Sequence, residues 1–334
     1  MIDIKTRINN LFIFEFYINE FNEYKSSFMK KALVISGGGS KGAFAGGVAQ
    51  YLMKNEGKNY DFFIGTSTGS LMVSHLALGM LDELKEIYTN VNQESIFSNN
   101  PFTIKNIGST KVISINHLNT FWNFLNGRKT FGESKNLRKL IKRNITKKMF
   151  DAIRGSDKEV VITVSNLTKN QIEYKSIFDC SYDDFCDWIW GSCNYVPFMS
   201  LLEKDNCQYA DGGFGSLIPI REAILRGATE IDAIILETEV SQLNKLPSKN
   251  PFSLLFNVFD FMLSHIERHN ISIGKLAANN KNVKLTLYYT PVVLTTNSLV
   301  FDKKLMREWW DSGFNYAESK KESLMSEFRP DILN

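Results

Sequence analysis

Short apolar runs recur along the chain at Ala32–Ser36, Phe62–Ile64, Val160–Ser165, Ala233–Glu237 and Val283–Tyr288, separated by stretches with helical spacing. Such runs read as strands. Their alternation with helices predicts an α/β fold, a three-layer α/β/α sandwich around a mainly parallel central sheet. The first two runs each feed a glycine-containing turn, and the second turn leads into the apolar helix Leu71-Met72-Val73-Ser74-His75-Leu76-Ala77-Leu78. No fixed-period repeat and no Pro- or Gly-rich linker divides the chain, so residues 29–334 are read as one domain, with a helical C-terminal portion from about residue 250 completing it. Met29-Lys30-Lys31 directly precedes the first strand, which leaves residues 1–28 as an extension, either an amphipathic accessory helix or not native.

The two turns carry the candidate chemistry. Leu33-Val34-Ile35 runs into Ser36-Gly37-Gly38-Gly39-Ser40-Lys41-Gly42, whose amides at a helix start have no side chain to shield them and suit an anionic oxygen. In Gly65-Thr66-Ser67-Thr68-Gly69 the flanking glycines permit the tight turn that lifts a serine hydroxyl above a sheet. Together they suggest acyl transfer. Gly37-x-Gly39-x-x-Gly42 also fits a dinucleotide fingerprint, with Asp61 lying 19 residues beyond Gly42. However, that acid should follow the second strand, and Asp61 precedes it. A phosphate loop fails because Lys41 is followed by Gly42 where Ser or Thr is needed.

A nucleophilic serine needs a base. Of the four histidines, His75 is eight residues beyond Ser67 on one helix, roughly 12 Å along its axis and out of reach of the hydroxyl. His265 and His269 share a helical face without the metalloprotease order of residues, and His117 has nothing to orient it. Asp211, in Tyr209-Ala210-Asp211-Gly212-Gly213-Phe214, is the better candidate: a carboxylate at a strand end beside glycines that admit another backbone. Burial would have to raise its pKa for it to serve as a base near neutrality.

The three segments in this order resemble the signatures of patatin-like phospholipases. The resemblance covers about residues 31–240. It extends to Ser192-Cys193-Asn194-Tyr195-Val196-Pro197-Phe198 and to Pro219, Ala223 and Gly227. It implies a Ser–Asp dyad without histidine: Ser67 as nucleophile, Asp211 as base, and an oxyanion hole in Gly37, Gly38 and Gly39, chiefly the amides of Gly38 and Gly39. Lys41, Gly42, Gly65, Gly69, Gly212 and Gly213 would support the three motifs. The implied activity is hydrolysis of fatty-acyl esters of phospholipids or lysophospholipids, with no metal or organic cofactor. Lys41 stands where many members have arginine, which keeps the charge but loses the planar fork. A histidine commonly precedes the serine in the related malonyl-transferase pattern, and Thr66 occupies that place. A broad carboxylesterase or acyltransferase with the same dyad, or a silent lipid-binding module, are the rival readings.

Composition and charge change this picture little. With 334 residues, 43% of them hydrophobic, the chain can bury one large core, and a net charge of +3 does not call for nucleic acid as a partner. Cys180, Cys186, Cys193 and Cys207 show no paired metal spacing and are expected as reduced thiols. No run approaches the roughly 20 apolar residues needed to cross a bilayer, and Leu11–Tyr17 is broken by Glu15, so a cytoplasmic protein is expected, with or without peripheral membrane contact. Between Arg128 and Lys148 nine basic residues face one acid, Glu133, with Leu137, Leu140, Ile141 and Ile145 at helical spacing. That segment reads as a surface helix or as an element meeting anionic lipid. Pro251–Phe259 reads as core or as a lid.

Overall fold

All five predicted runs form strands of one sheet. The structure, a computed structural model, describes residues 29–107, 110–240, 248 and 250–327; the expected extension over 1–28, with its Leu11–Tyr17 run, lies outside them. The N-terminal half contains β1 (Lys31–Ile35), α1 (Gly42–Gln50), β2 (Phe62–Thr66), α2 (Thr68–Ala77), α3 (Leu81–Thr89) and the short α4 (Gln93–Ile96). A hairpin of β3 (Phe102–Ile107) and β4 (Thr110–Ile115) follows, then α5 (His117–Leu125), α6 (Lys135–Asn144) and α7 (Lys147–Arg154). Next come β5 (Glu159–Asn166), β6 (Gln171–Ser176), α8 (Tyr182–Ser192), β7 (Leu202–Lys204), β8 (Cys207–Asp211) and α9 (Ile220–Leu225). The chain continues through β9 (Glu230–Ile235), α10 (Pro251–Lys281), β10 (Lys284–Tyr289) and α11 (Lys303–Glu327).

The sheet runs β10-β9-β1-β2-β5-β8-β7, parallel from β10 to β5, with β8 antiparallel to β5 and β6 paired to β5 as well. Successive side chains on a strand point to opposite faces, and both faces are covered. Leu33 and Ile35 join the larger core with α1, α2, α3 and α8, while Ala32 and Val34 join the smaller one with Ile220 and Ala223 of α9. The expected three-layer α/β/α sandwich follows. The C-terminal helix closes the larger core: Trp310 of α11 is fully buried, and Gly46 and Gly47 of α1 lie so close to it that a Cβ on Gly47 would fall 1.9 Å from the Trp310 carbonyl oxygen.

One register detail brings the chemistry together. β6 pairs with β5 over Val161–Asn166 on one edge, so β2 and β8 must share the other. Thr66 of β2 pairs with Thr163, and Asp211 of β8 pairs with the next residue, Val164. Because β2 is parallel and β8 antiparallel, the two strands end tail to tail there. Ser67 and Asp211 meet at that junction.

Candidate active site

At the end of β2 the chain reverses into α2 through Ser67, whose φ of 52° and ψ of −117° lie where side chains rarely go. The turn is possible because Gly65 and Gly69 have no side chains: a Cβ on Gly65 would lie 2.4 Å from the Gly69 carbonyl carbon, and one on Gly69 2.3 Å from the Ile35 oxygen. Ser67 Oγ donates to Asp211 Oδ2 at 2.6 Å. The other carboxylate oxygen, Oδ1, accepts from the Gly213 amide at 2.8 Å, which fixes the plane of the group. Gly212 permits that turn, since a Cβ there would lie 2.4 Å from the Thr163 oxygen. Asp211 is 5% exposed, and burial pushes its carboxyl up to about 7 against the lowering effect of the bonds from Ser67 and Gly213.

The segment Ser192-Cys193-Asn194 ties the two residues to each other. Ser192 Oγ accepts from the Ser67 amide at 2.9 Å, Cys193 Sγ donates to the Ser67 carbonyl at 3.2 Å, and the Asn194 carbonyl accepts from the Asp211 amide at 2.9 Å. In the sequence this segment carried only a family likeness. Its bracing role depends on contacts 125 and 126 residues away. All four cysteines are free thiols, and burial pushes that of Cys193 well up, so it serves here as a neutral donor.

The glycine turn packs against the serine. The Gly37 amide is already engaged, donating to the Leu217 carbonyl at 3.1 Å, so the expectation of a donor at Gly37 is corrected to a spacing role. The amides of Gly38 and Gly39 meet no acceptor among the described residues. The Gly38 carbonyl accepts from the Lys41 amide at 3.2 Å, and in a trans peptide this turns the Gly39 N–H the opposite way. Gly39 has a φ of +55°, and its carbonyl accepts from both Thr68 Oγ1 and the Tyr88 hydroxyl, each at 2.7 Å. Gly42 leaves room for that tyrosine, since a Cβ there would lie 2.3 Å from its hydroxyl. Lys41 is buried and pairs with Glu237, so its charge is already matched from within the protein.

These groups open on one cavity of about 1820 Å³, larger than the usual 300–1,000 Å³ of small-molecule pockets. Aliphatic side chains from α2, α3 and α6 line one part, and Leu254, Phe256 and Phe261 of α10 another. Pro251–Phe259 is thus the half-buried start of a helix, with Phe252, Leu255, Phe256 and Phe259 against the core and Leu254 exposed at the cavity. Glu267 of α10 also faces the cavity; it is 3% exposed, and its Oε1 has no hydrogen-bond partner among the described residues. Burial, and then the nearby Glu237, push it up to about 8, with Lys41 and Arg268 opposing.

No histidine bonds to Ser67 or Asp211 among the described residues. His75 is buried in α2 and pushed down to about 4 by that burial; His117 packs on Phe252, and His265 on Phe261. No group of three His, Cys, Asp or Glu side chains among the described residues could hold a metal ion. In the basic segment, Arg128, Lys129, Lys135, Arg138, Lys142 and Lys147 all form ion pairs, while Leu137, Ile141 and Ile145 are buried. Much of that positive charge is therefore matched locally. No helix among the described residues is long and apolar enough to cross a membrane.

An α/β sandwich with a strained serine turn beside a glycine turn defines a broad class of acyl-group enzymes. A family model for patatin-like phospholipases matches residues 33–224, more than half of the chain, and the protein belongs to that family of lipid acyl hydrolases. Among solved structures, the chain is similar to VipD from Legionella pneumophila, at 14% identity over 89% of this chain and 67% of that one, with a TM-score of 0.49. No curated protein matches the sequence.

Proposed function

We propose that the protein hydrolyses fatty-acyl esters of phospholipids or lysophospholipids through a Ser67–Asp211 dyad, as a phospholipase A or lysophospholipase. The observation that carries this reading is the 2.6 Å hydrogen bond from Ser67 Oγ to a buried carboxylate at the wall of a large, mainly apolar cavity. Ser67 Oγ attacks the ester carbonyl carbon as its proton passes to Asp211 Oδ2. The carbonyl oxygen becomes an oxyanion facing the amides of Gly38 and Gly39. Collapse breaks the ester bond, and the departing alkoxide takes the proton from Asp211. Water, deprotonated by the same carboxylate, then attacks the acyl-enzyme and releases the fatty acid and Ser67.

The test uses short-chain ester turnover and a fluorophosphonate probe. Ser67→Ala is expected to lose at least about 1,000-fold in kcat and all labelling, and Asp211→Asn nearly as much in kcat, since its amide cannot accept the proton. His265→Ala and His117→Ala should stay near wild type. A folded Ser67→Ala protein with full activity would remove the dyad. Mass spectrometry of products from mixed phospholipid vesicles then distinguishes a phospholipase, which releases fatty acid and lysolipid, from an esterase that leaves the vesicles intact.

A further inference from the structure

Helix α5 reverses the usual arrangement of a surface helix. Its sequence, His117-Leu118-Asn119-Thr120-Phe121-Trp122-Asn123-Phe124-Leu125, puts Leu118, Phe121, Trp122 and Leu125 at i, i+3, i+4 and i+7, the spacing that ordinarily faces a core. These four are 72%, 56%, 59% and 60% exposed. The side that faces the protein is polar. Thr120 and Asn123 are buried, and Asn123 donates to the carbonyls of Thr130 and Phe131 while accepting from Asn99. The helix is therefore held to the body largely by hydrogen bonds, and its apolar stripe is left in water.

The start of the helix lies next to the cavity. Ile113 and Ser114 of β4 line the cavity just before α5 begins, and His117 packs on Phe252 of α10 at a ring distance of 5.5 Å. On α10, Leu254 and Phe261 are both exposed and on the cavity wall. Exposed apolar side chains thus stand both on α5 and on the α10 wall of the cavity, and the His117–Phe252 contact links the two helices. Helix α5 has no Asp, Glu, Lys or Arg, and Arg128 and Lys129, which follow its C-terminal end, remain about half exposed while paired with Glu133 and Glu203. An indole, phenyl rings and leucines on a helix without charged side chains are complementary to the acyl boundary of a bilayer.

We propose that α5 is an interfacial helix that seats the protein on a lipid surface, with the Leu118, Phe121, Trp122 and Leu125 stripe immersed and the cavity mouth turned to the bilayer. The choice of lipid as the occupant rests on the hydrolase reading above. Binding is therefore measured in the Ser67→Ala background, by co-sedimentation with vesicles of phosphatidylcholine, alone or with a minority of phosphatidylglycerol. Adding Phe121→Ser, Trp122→Ser and Leu125→Ser should weaken binding to both vesicle types by at least about tenfold, more than raised salt does, because the contact is mainly apolar. The same three changes with Ser67 intact should leave soluble short-chain ester turnover within about twofold of wild type, which also checks that the protein folds. Vesicles should shift tryptophan emission to the blue, and Trp122→Phe should keep the binding and lose most of the shift.

Unchanged vesicle binding by the triple variant would overturn the proposal. So would a wild-type dimer that the triple variant dissociates without any loss of vesicle binding, which would make a second copy the occupant. Vesicle binding that responds as expected in a protein with no ester turnover would leave the docking surface standing and remove the hydrolase reading alone.

Discussion

At Asp211, burial and hydrogen bonding act in opposite directions, and burial prevails, bringing the carboxyl up to about 7. A base must be ionised to accept the serine proton, so kcat/KM for a soluble ester should climb about tenfold per pH unit below about 7 and level off above it. A pH–rate profile checks this, and a limb near the ordinary carboxylate value would assign the base elsewhere. Glu267 gives a stability prediction with a defined sign. Its folded-state pKa is raised to about 8, so the stabilisation from its bound proton is complete below the ordinary carboxylate range and is lost as pH rises through about 8. Glu267→Gln should match wild type in denaturant titrations near pH 5 and exceed it near pH 9, by on the order of a few kcal/mol, with parallel curves as the contrary result. Ser67 and Asp211 were legible because glycines mark their turns. Ser192 and Cys193 were marked only by the family resemblance of their segment, which gave them no role, and Glu267 by nothing, since local sequence does not reveal a bond to a residue far along the chain or the burial of a carboxylate.

Among the elements, legibility followed burial. The five strands of the parallel part of the sheet carry short continuous apolar runs, since helices cover both faces of all but the half-exposed edge strand β10. β6 is half exposed and mixed in character, β7 has three residues, and the β3–β4 hairpin lies outside the main sheet, so none carries such a run. Helix α5 shows the limit of periodicity: spacing gives the face and leaves open whether it looks in or out. The basic segment, read as a single helix with an apolar face, is divided: residues 128–134 are not helical, α6 covers Lys135–Asn144, and Lys147 and Lys148 open α7, while spacing could not show how its charges are matched. Arg138 donates twice to Asp187, which is 13% exposed, and its guanidinium lies 5.1 Å from the Trp190 ring centroid. Arg138→Glu should therefore lower stability by about 1–2 kcal/mol in thermal or denaturant unfolding, whereas Lys139→Glu on the same helix should change it by less than about 0.5 kcal/mol. Recovery in the Arg138→Glu, Asp187→Arg pair would attribute the loss to the ion pair. Equal effects at both positions would attribute it to net charge.

For the molecule as a whole, the family match ends at residue 224, yet α10 supplies one wall of the cavity and α11 covers the helix that follows the glycine turn. The hydrogen bond between Ser67 and Asp211 is fixed much more locally, by the junction where β2 and β8 end on neighbouring residues of β5. Ser67 and Asp211 are 144 positions apart in the chain, but what aligns them is a one-residue step in pairing. The intervening length is therefore free to drift over generations. Insertions and deletions in the connections between the two can reshape the cavity for other lipids without moving the chemistry. Slipping β8 by one residue along β5 would instead turn the carboxylate to the opposite face. Relatives of this protein should vary in size far more readily than in the pairing of three short strands.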